Sequence, residues 1–250
     1  MIVTSGPGAT NALTGITNAM LDSTPLVVIT GQVHRPGIGY DAFQEADIFG
    51  MTTPITKYNY QIRDVREIPR VLHEAFHIAN TGRKGPVVID LPRDMQVNTT
   101  IEWYDTAIDL AGYRLESHPV HNEAKLAVDK MLEAERPIIL AGKGVLAGYA
   151  QDELRQFAET YNIPVVTTLL GLGAMPHGHE LFAGMGGMHG SYPSNMALYE
   201  ADYILNIGSR FDDRVASNPQ MFGRNAYIVH VDIDNKELGK IIATDLPILS

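Results

Sequence analysis

Pro86-Val87-Val88-Ile89-Asp90-Leu91 is a short, almost wholly apolar run. A strand with one wet face alternates polar and apolar residues. A run without alternation is covered on both faces, as in a parallel sheet. Just upstream, Ile68, Val71, Leu72, Ala75, Phe76 and Ala79 recur at helical spacing, and Gly82 supplies a stop. A helix feeding a doubly covered strand is the repeating unit of parallel α/β layers.

The same rhythm extends both ways from this unit. Toward the N-terminus, Leu26-Val27-Val28-Ile29 is another continuous apolar run. Met1 to Thr4 reads as a buried strand that enters Gly6-Pro7-Gly8. Thr10 or Asn11 is placed to cap a helix with the stripe Leu13, Ile16, Met20 and Leu21. Chain ends usually lie at the surface, so a start inside a core strand predicts a first domain incomplete at its N-terminus. Toward the C-terminus, Asn98-Thr99-Thr100 and Ser117-His118-Pro119 break the rhythm. Alternation resumes at Asn122, with strands expected at 137–141, 163–168, 203–208 and 227–233 and helices near 123–135, 151–161 and 193–201. The fold class is therefore α/β, with two parallel-sheet, Rossmann-like domains at 1–97 and 121–250 and a linker at 98–120.

Composition narrows the function. The 250 residues carry 19 Lys and Arg against 29 Asp and Glu, a net charge of −10. Binding to a nucleic-acid backbone needs a basic face, so no nucleic-acid partner is expected. No apolar run approaches the roughly 20 residues of a membrane helix, so no membrane partner is expected either. The absence of cysteine excludes disulfides and thiolate chemistry. It fits a reducing compartment, and with no signal-peptide pattern at the start the expected location is cytoplasmic.

Several motifs carry possible chemistry. His73-Glu74-Ala75-Phe76-His77 matches H-E-x-x-H, in which two histidines one turn apart share zinc. The helix stops at Gly82 and no third ligand follows in a recognisable pattern. The favoured reading is a solvated polar face of Arg70, His73, His77 and Asn80, with Phe76 and Ala79 toward the core, and no metal. Gly142-Lys143-Gly144 after Ile138-Ile139-Leu140 opens a dinucleotide fingerprint with Ala147 in the third glycine position, and a tight turn is the alternative. Gly208-Ser209-Arg210-Phe211-Asp212-Asp213-Arg214 follows an apolar strand, where ligands bind in open α/β sheets. Arg210 suits a phosphate or carboxylate, and Asp232, at the end of Ile228-Val229-His230-Val231, suits a ribose hydroxyl. Met185 to Tyr192 is a glycine-rich loop. Its His189, taken alone, reads as a hydrogen-bonding loop residue.

Taken together, these segments resemble one family. Thr4-Ser5-Gly6-Pro7-Gly8-Ala9-Thr10-Asn11, Thr30-Gly31-Gln32-Val33 and Asp41-Ala42-Phe43-Gln44-Glu45-Ala46-Asp47 are similar to the catalytic subunit of acetohydroxyacid synthase (acetolactate synthase), a thiamine-diphosphate-dependent enzyme. So are Gly85 to Pro92, Leu169-Leu170-Gly171-Leu172-Gly173 and the Arg210-Phe211-Asp212-Asp213-Arg214 run. The resemblance covers essentially the whole chain. It implies the later part of a pyrimidine-binding domain followed by a central FAD-binding domain. The activating glutamate and the Gly-Asp-Gly motif that holds Mg2+ and diphosphate would then lie outside these residues.

The implied chemistry is decarboxylation of pyruvate on thiamine diphosphate and condensation with a second 2-oxo acid, pyruvate or 2-oxobutanoate. By resemblance, Phe43 is an apolar wall and Gln44 a hydrogen-bond donor in an active site at a homodimer interface. Arg83, Gly142, Gly144, Thr168, Leu169, His189, Gly190, Gly208, Arg210, Asp232 and Ile233 would surround FAD, and Arg93, Met188 and Asp213 would border the substrate channel. A regulatory subunit is a further implied partner. Arg93 stands where the family commonly has lysine, which keeps the charge and changes the donor geometry, and His34 stands where proline is frequent. The alternatives are a related carboligase such as glyoxylate carboligase and a non-catalytic FAD-binding fragment, with a zinc protease last.

Overall fold

The computed structural model describes residues 1–97, 102–104, 107–108, 110–115 and 120–250. The chain forms two compact units, Met1–Glu116 and Ser117–Ser250. Each is built on an all-parallel sheet, as the continuous apolar runs predict.

In the first unit the strands are β1 (Ile2–Val3), β2 (Leu26–Gln32), β3 (Tyr58–Gln61) and β4 (Pro86–Pro92), in the order β1-β2-β4-β3. Helix α1 (Pro7–Leu21) covers one face, with Ala9, Ala12 and Ile16 against Val28 and Val88. The short α2 (Ile48–Thr52) adds Ile48 to that layer. Helix α3 (Ile68–Asn80) covers the other face, with Val71, Ala75, Ile78 and Ala79 against Val87 and Ile89. Val87 and Val88 therefore serve opposite layers, which is why β4 carries no polar alternation.

Three details differ from the sequence reading. Helix α1 starts at Pro7 rather than near Thr10, because proline is preorganised for the first helical position. Ile2 is 79% exposed, so β1 is an open edge and not a buried strand. On α3 the burial is rotated: Glu74 is buried and Phe76 is 58% exposed. The 71-75-78 stripe meets the sheet, and Phe76 lies one position round the helix from it. Part of the segment read as a linker lies outside the described residues. Within the described part, Tyr113 packs by Lys57 and Thr81, and the Tyr104 hydroxyl donates to the Arg66 carbonyl at 2.6 Å.

In the second unit the strands are β5 (Pro137–Ala141), β6 (Val165–Thr167), β7 (Phe182–Met185), β8 (Tyr203–Ile207), β9 (Tyr227–Asp232) and β10 (Leu246–Leu249). Their order is β10-β9-β8-β5-β6-β7. Counted from the first strand of the unit this is 3-2-1-4-5-6, with the chain reversing direction across the sheet between β5 and β8. Helices α4 (His121–Leu132) and α6 (Gln151–Tyr161) supply Ala127, Met131, Leu154 and Ala158 to one face. Helix α7 (Tyr192–Glu200) supplies Leu198 to the other, with Phe211 and Ile242. Between them, α5 (Lys143–Ala147) is a single short turn. No helix among the described residues is long and apolar enough to cross a membrane.

Candidate functional site

Each sheet gathers its polar residues at the carboxyl ends of its strands. In the first unit, β1 runs into Gly6 at φ +55°, and a Cβ there would lie 2.6 Å from the Gln44 carbonyl oxygen. Glycine at position 6 thus lets the turn pack on the backbone of the Phe43–Gln44 segment. That segment is irregular, with Asp41 at φ +54° and Gln44 at φ +60°. The Glu45 carboxylate accepts hydrogen bonds from the Gly39 and Ala42 N–H groups, which hold it below the usual carboxylate range. Asp47 caps α2 through the Gly50 N–H at 2.9 Å. Phe43 is left 88% exposed.

Asp90 lies in the same layer, at the end of β4. Its side chain is buried and accepts from the Thr30 hydroxyl at 2.9 Å and from the Gln61 and Gln32 amides at 2.8 and 3.3 Å. Burial pushes this carboxyl up, against the pull of the three donors. Beside it opens a cleft of about 420 Å³, lined by Thr4, Ser5, Gly31, Gln32, Arg93 and Gln96 among others. Arg93 and Gln44 therefore share the carboxyl end of this sheet. Arg83 does not, because it precedes β4 at the opposite end, where its Nε donates to the Ser23 hydroxyl at 2.9 Å.

In the second unit the chain reverses across the sheet between β5 and β8, where ligands bind in open α/β sheets. Gly142 follows β5 and Gly208 follows β8, and the two turns interlock. The Gly144 N–H donates to the Gly208 carbonyl at 3.0 Å. A Cβ on Gly142 would lie 2.2 Å from that oxygen, and one on Gly208 would lie 2.4 Å from Gly144 Cα. These glycines are thus explained by backbone packing against each other. With α5 only five residues long, the Gly142-Lys143-Gly144 segment does not open the long phosphate-binding helix that a dinucleotide fingerprint requires.

Neighbouring loops are tied to the same edge. The Thr168 N–H donates to the Ala141 carbonyl at 3.0 Å, and its hydroxyl caps the turn at Leu169–Gly171. Leu169 is left 65% exposed. The Met185–Tyr192 loop is held by Asn195, whose amide accepts from the Gly187 N–H at 2.7 Å and donates to the Gly187 carbonyl at 2.9 Å. Met188 N–H donates to the Arg214 carbonyl at 2.6 Å, which joins the loop after β7 to the loop after β8. His189 and Gly190 are carried on that joined loop. Arg210 is three-quarters buried, and its nearest acid is Asp212 at 3.6 Å, beyond a strong pair. Asp213 stands mostly in solvent beside Arg214. Asp232 is buried at the end of β9, where it accepts the Asp234 N–H at 2.9 Å, with Ile233 half exposed beside it.

Some of these features escaped the sequence reading. His230 is fully buried, edge-on to Phe211 at 5.0 Å and 3.8 Å from the Asp232 carboxylate. The register sets it opposite Asn206. Both His230 nitrogens, Asn206 Oδ1 and Thr167 Oγ1 are buried without a hydrogen-bond partner. Such groups are completed by water or by a bound polar ligand. The Asn195 clamp and the Asp90 network carry no local sequence signature either.

Among the described residues the H-E-x-x-H helix assembles no zinc-ligand set. Arg70 Nη1 donates to both oxygens of the buried Glu74, at 2.8 Å each, so no free general base remains. No group of three metal-ligating residues occurs among the described residues. His73 and His77 instead border a shallow groove of about 590 Å³ with Leu72, Phe76, Trp103 and Ile108. That groove is larger than the cleft by Asp90 but lacks its converging polar groups.

A six-stranded parallel sheet with glycines and charged loops at its reversal point defines an α/β protein of the Rossmann-like kind. The chain belongs to the thiamine pyrophosphate enzyme family. Residues 124–250 match the thiamine pyrophosphate enzyme central domain, and residues 1–51 match the N-terminal TPP binding domain. The chain is 54% identical over 250 residues to the acetolactate synthase large subunit of Lactococcus lactis subsp. lactis, covering 100% of this chain and 44% of that protein. It is 49% identical over 249 residues to that of Corynebacterium glutamicum, covering 99% of this chain and 40% of that protein. It is 48% identical over 253 residues to the probable acetolactate synthase large subunit of Methanocaldococcus jannaschii, covering 99% and 42%. The chain thus spans less than half the length of these relatives.

Proposed function

We propose that this chain is part of the catalytic subunit of an acetolactate synthase of branched-chain amino acid biosynthesis. The observation that carries the reading is the 54% identity to a named acetolactate synthase large subunit, unbroken over all 250 residues. The complete protein decarboxylates pyruvate and condenses it with pyruvate or 2-oxobutanoate. It works as a cytoplasmic homodimer or higher homo-oligomer, with a regulatory subunit as a further partner. Thiamine diphosphate, held with Mg2+ largely by residues outside this chain, supplies the electron sink for decarboxylation.

Within this chain, Gln44 donates a hydrogen bond to the bound 2-oxo acid and Phe43 shields it from water. Arg93, at the carboxyl end of the same sheet, borders the approach to that site. FAD would be held by Arg210, whose guanidinium suits a diphosphate, and by Asp232, whose carboxylate suits a ribose hydroxyl. Thr168, Leu169, His189, Gly190 and Ile233, on loops at the same edge, complete the shell, and Gly142, Gly144 and Gly208 let the two turns beneath it interlock. The orphaned polar atoms at the end of the second sheet support this assignment. The test is product analysis of the complete protein with thiamine diphosphate, Mg2+ and FAD. Acetolactate from pyruvate is the expected outcome, and replacing Gln44 by Ala should cut kcat/KM by about tenfold to a hundredfold, the cost of one hydrogen bond to the reacting molecule. Condensation of glyoxylate in preference to pyruvate would overturn the reading in favour of a glyoxylate carboligase.

A further inference from the structure

Thr30, Asp90 and Gln61 lie in one row across β2, β4 and β3, since Asp90 pairs in register with both of the others. The row sits in the α1 layer, two residues beyond Val28 and Val88. Gln32 stands over it, one step closer to the carboxyl edge. Asp90 is 1% exposed, so its carboxylate has exchanged water for the Thr30, Gln32 and Gln61 donors.

The Gln32 amide is fixed from three sides. Its Oε1 accepts the Val33 N–H at 2.9 Å. Its Nε2 donates to the Ala46 carbonyl at 2.9 Å and to Asp90 Oδ2 at 3.3 Å. A flipped amide would set its oxygen against two acceptors and its NH2 against a donor. Asp90 thereby selects the orientation in which Gln32 grips Ala46, two residues past Gln44. The 41–46 segment needs such a grip. It has two residues in the left-handed region and an almost fully exposed Phe43, so little burial holds it in place.

We propose that Asp90, acting through Gln32, is the positioning group that fixes the Phe43–Gln44 segment at the carboxyl end of the first sheet. The inference rests on the reading of Phe43 and Gln44 as site residues, and it adds the device that orients them. It is tested by amide hydrogen exchange on the full chain with Gln32→Met, Asp90→Asn and the double variant. Methionine keeps the length of Gln32 and removes the donor. Asparagine keeps the shape of Asp90 and removes the charge that strengthens its hydrogen bonds about twofold.

Gln32→Met should speed exchange of the Glu45 and Ile48 amides by about tenfold, the equivalent of one lost hydrogen bond. Asp90→Asn should speed the same amides by about threefold or more. The double variant should be no faster than Gln32→Met alone, because the two residues act in series. Exchange in α3 should not change. Additive effects, an unchanged segment in Asp90→Asn, or equal loss of protection in α3 would overturn the proposal. The exchange map needs no turnover, so the tether can fail while Gln44→Ala still lowers kcat/KM for acetolactate formation, and the reverse outcome is equally readable.

Discussion

At Gly208 the backbone has φ +62°, and a Cβ would press on Gly144 Cα at 2.4 Å. Both costs fall on backbone that cannot swing aside, so Gly208→Ala should destabilise the second unit by about 3 kcal/mol in denaturant unfolding. Gly15 is the contrast. It is exposed in the middle of α1 with nothing within 4 Å of an added Cβ. Gly15→Ala should stabilise the first unit by about 0.5–1 kcal/mol in the same measurement, through helix propensity and a stiffer unfolded chain. The sequence presents both residues simply as glycine, and only the strand order shows which one faces another backbone. The positions of Arg210 and Asp232 were legible because Asp232 directly follows an apolar run and Arg210 follows one after a Gly-Ser turn, so both must emerge at a strand end. The strand that carries Asp90 was legible, but the partners of its side chain come from β2 and β3, roughly 60 and 30 residues away, and no local pattern announces them.

At the scale of elements, the continuous apolar strands β2, β4, β5, β8 and β9 were readable, and two others were not. β7 is Phe182-Ala183-Gly184-Met185, with Gly184 at φ +96° and a register shift in its pairing with β6. β10 contains Pro247, which reads as a strand breaker and is tolerated because β10 is an edge. The start of β5 is pinned by Asp202, whose carboxylate accepts the Glu135 and Arg136 N–H groups at 2.8 Å each. Burial pushes the Asp202 carboxyl up, and these hydrogen bonds outweigh it and hold the group below its ordinary value. A depressed carboxyl contributes stability above its unfolded pKa, near 3.9, and loses it as pH falls through the folded value. Asp202→Asn should therefore cost about 1–2 kcal/mol at pH 7. The difference from the parent should shrink as the unfolding midpoint is followed below about pH 4. A constant difference across that range would mean that shape rather than charge holds the start of β5.

At the scale of the whole molecule, the sequence rhythm led to two parallel layers, and both are present. Their carboxyl ends are where polar residues were expected, and there the glycine turns, Arg210, Asp232 and the Phe43–Gln44 segment are found. What the rhythm could not disclose is how loops lock together. Asn195 grips Gly187, and Met188 is bonded to Arg214, so the flavin shell proposed for the second unit is built from joined loops rather than independent ones. The most direct test is a titration of FAD into the 250-residue chain and its Arg210→Ala variant, followed by flavin fluorescence. One FAD per chain, bound at least tenfold more weakly by the variant, is the predicted result, since a charge-assisted contact to the diphosphate is worth about 1.5–3 kcal/mol. Absence of saturable binding to the folded chain, or equal affinity of the two proteins, would contradict the account.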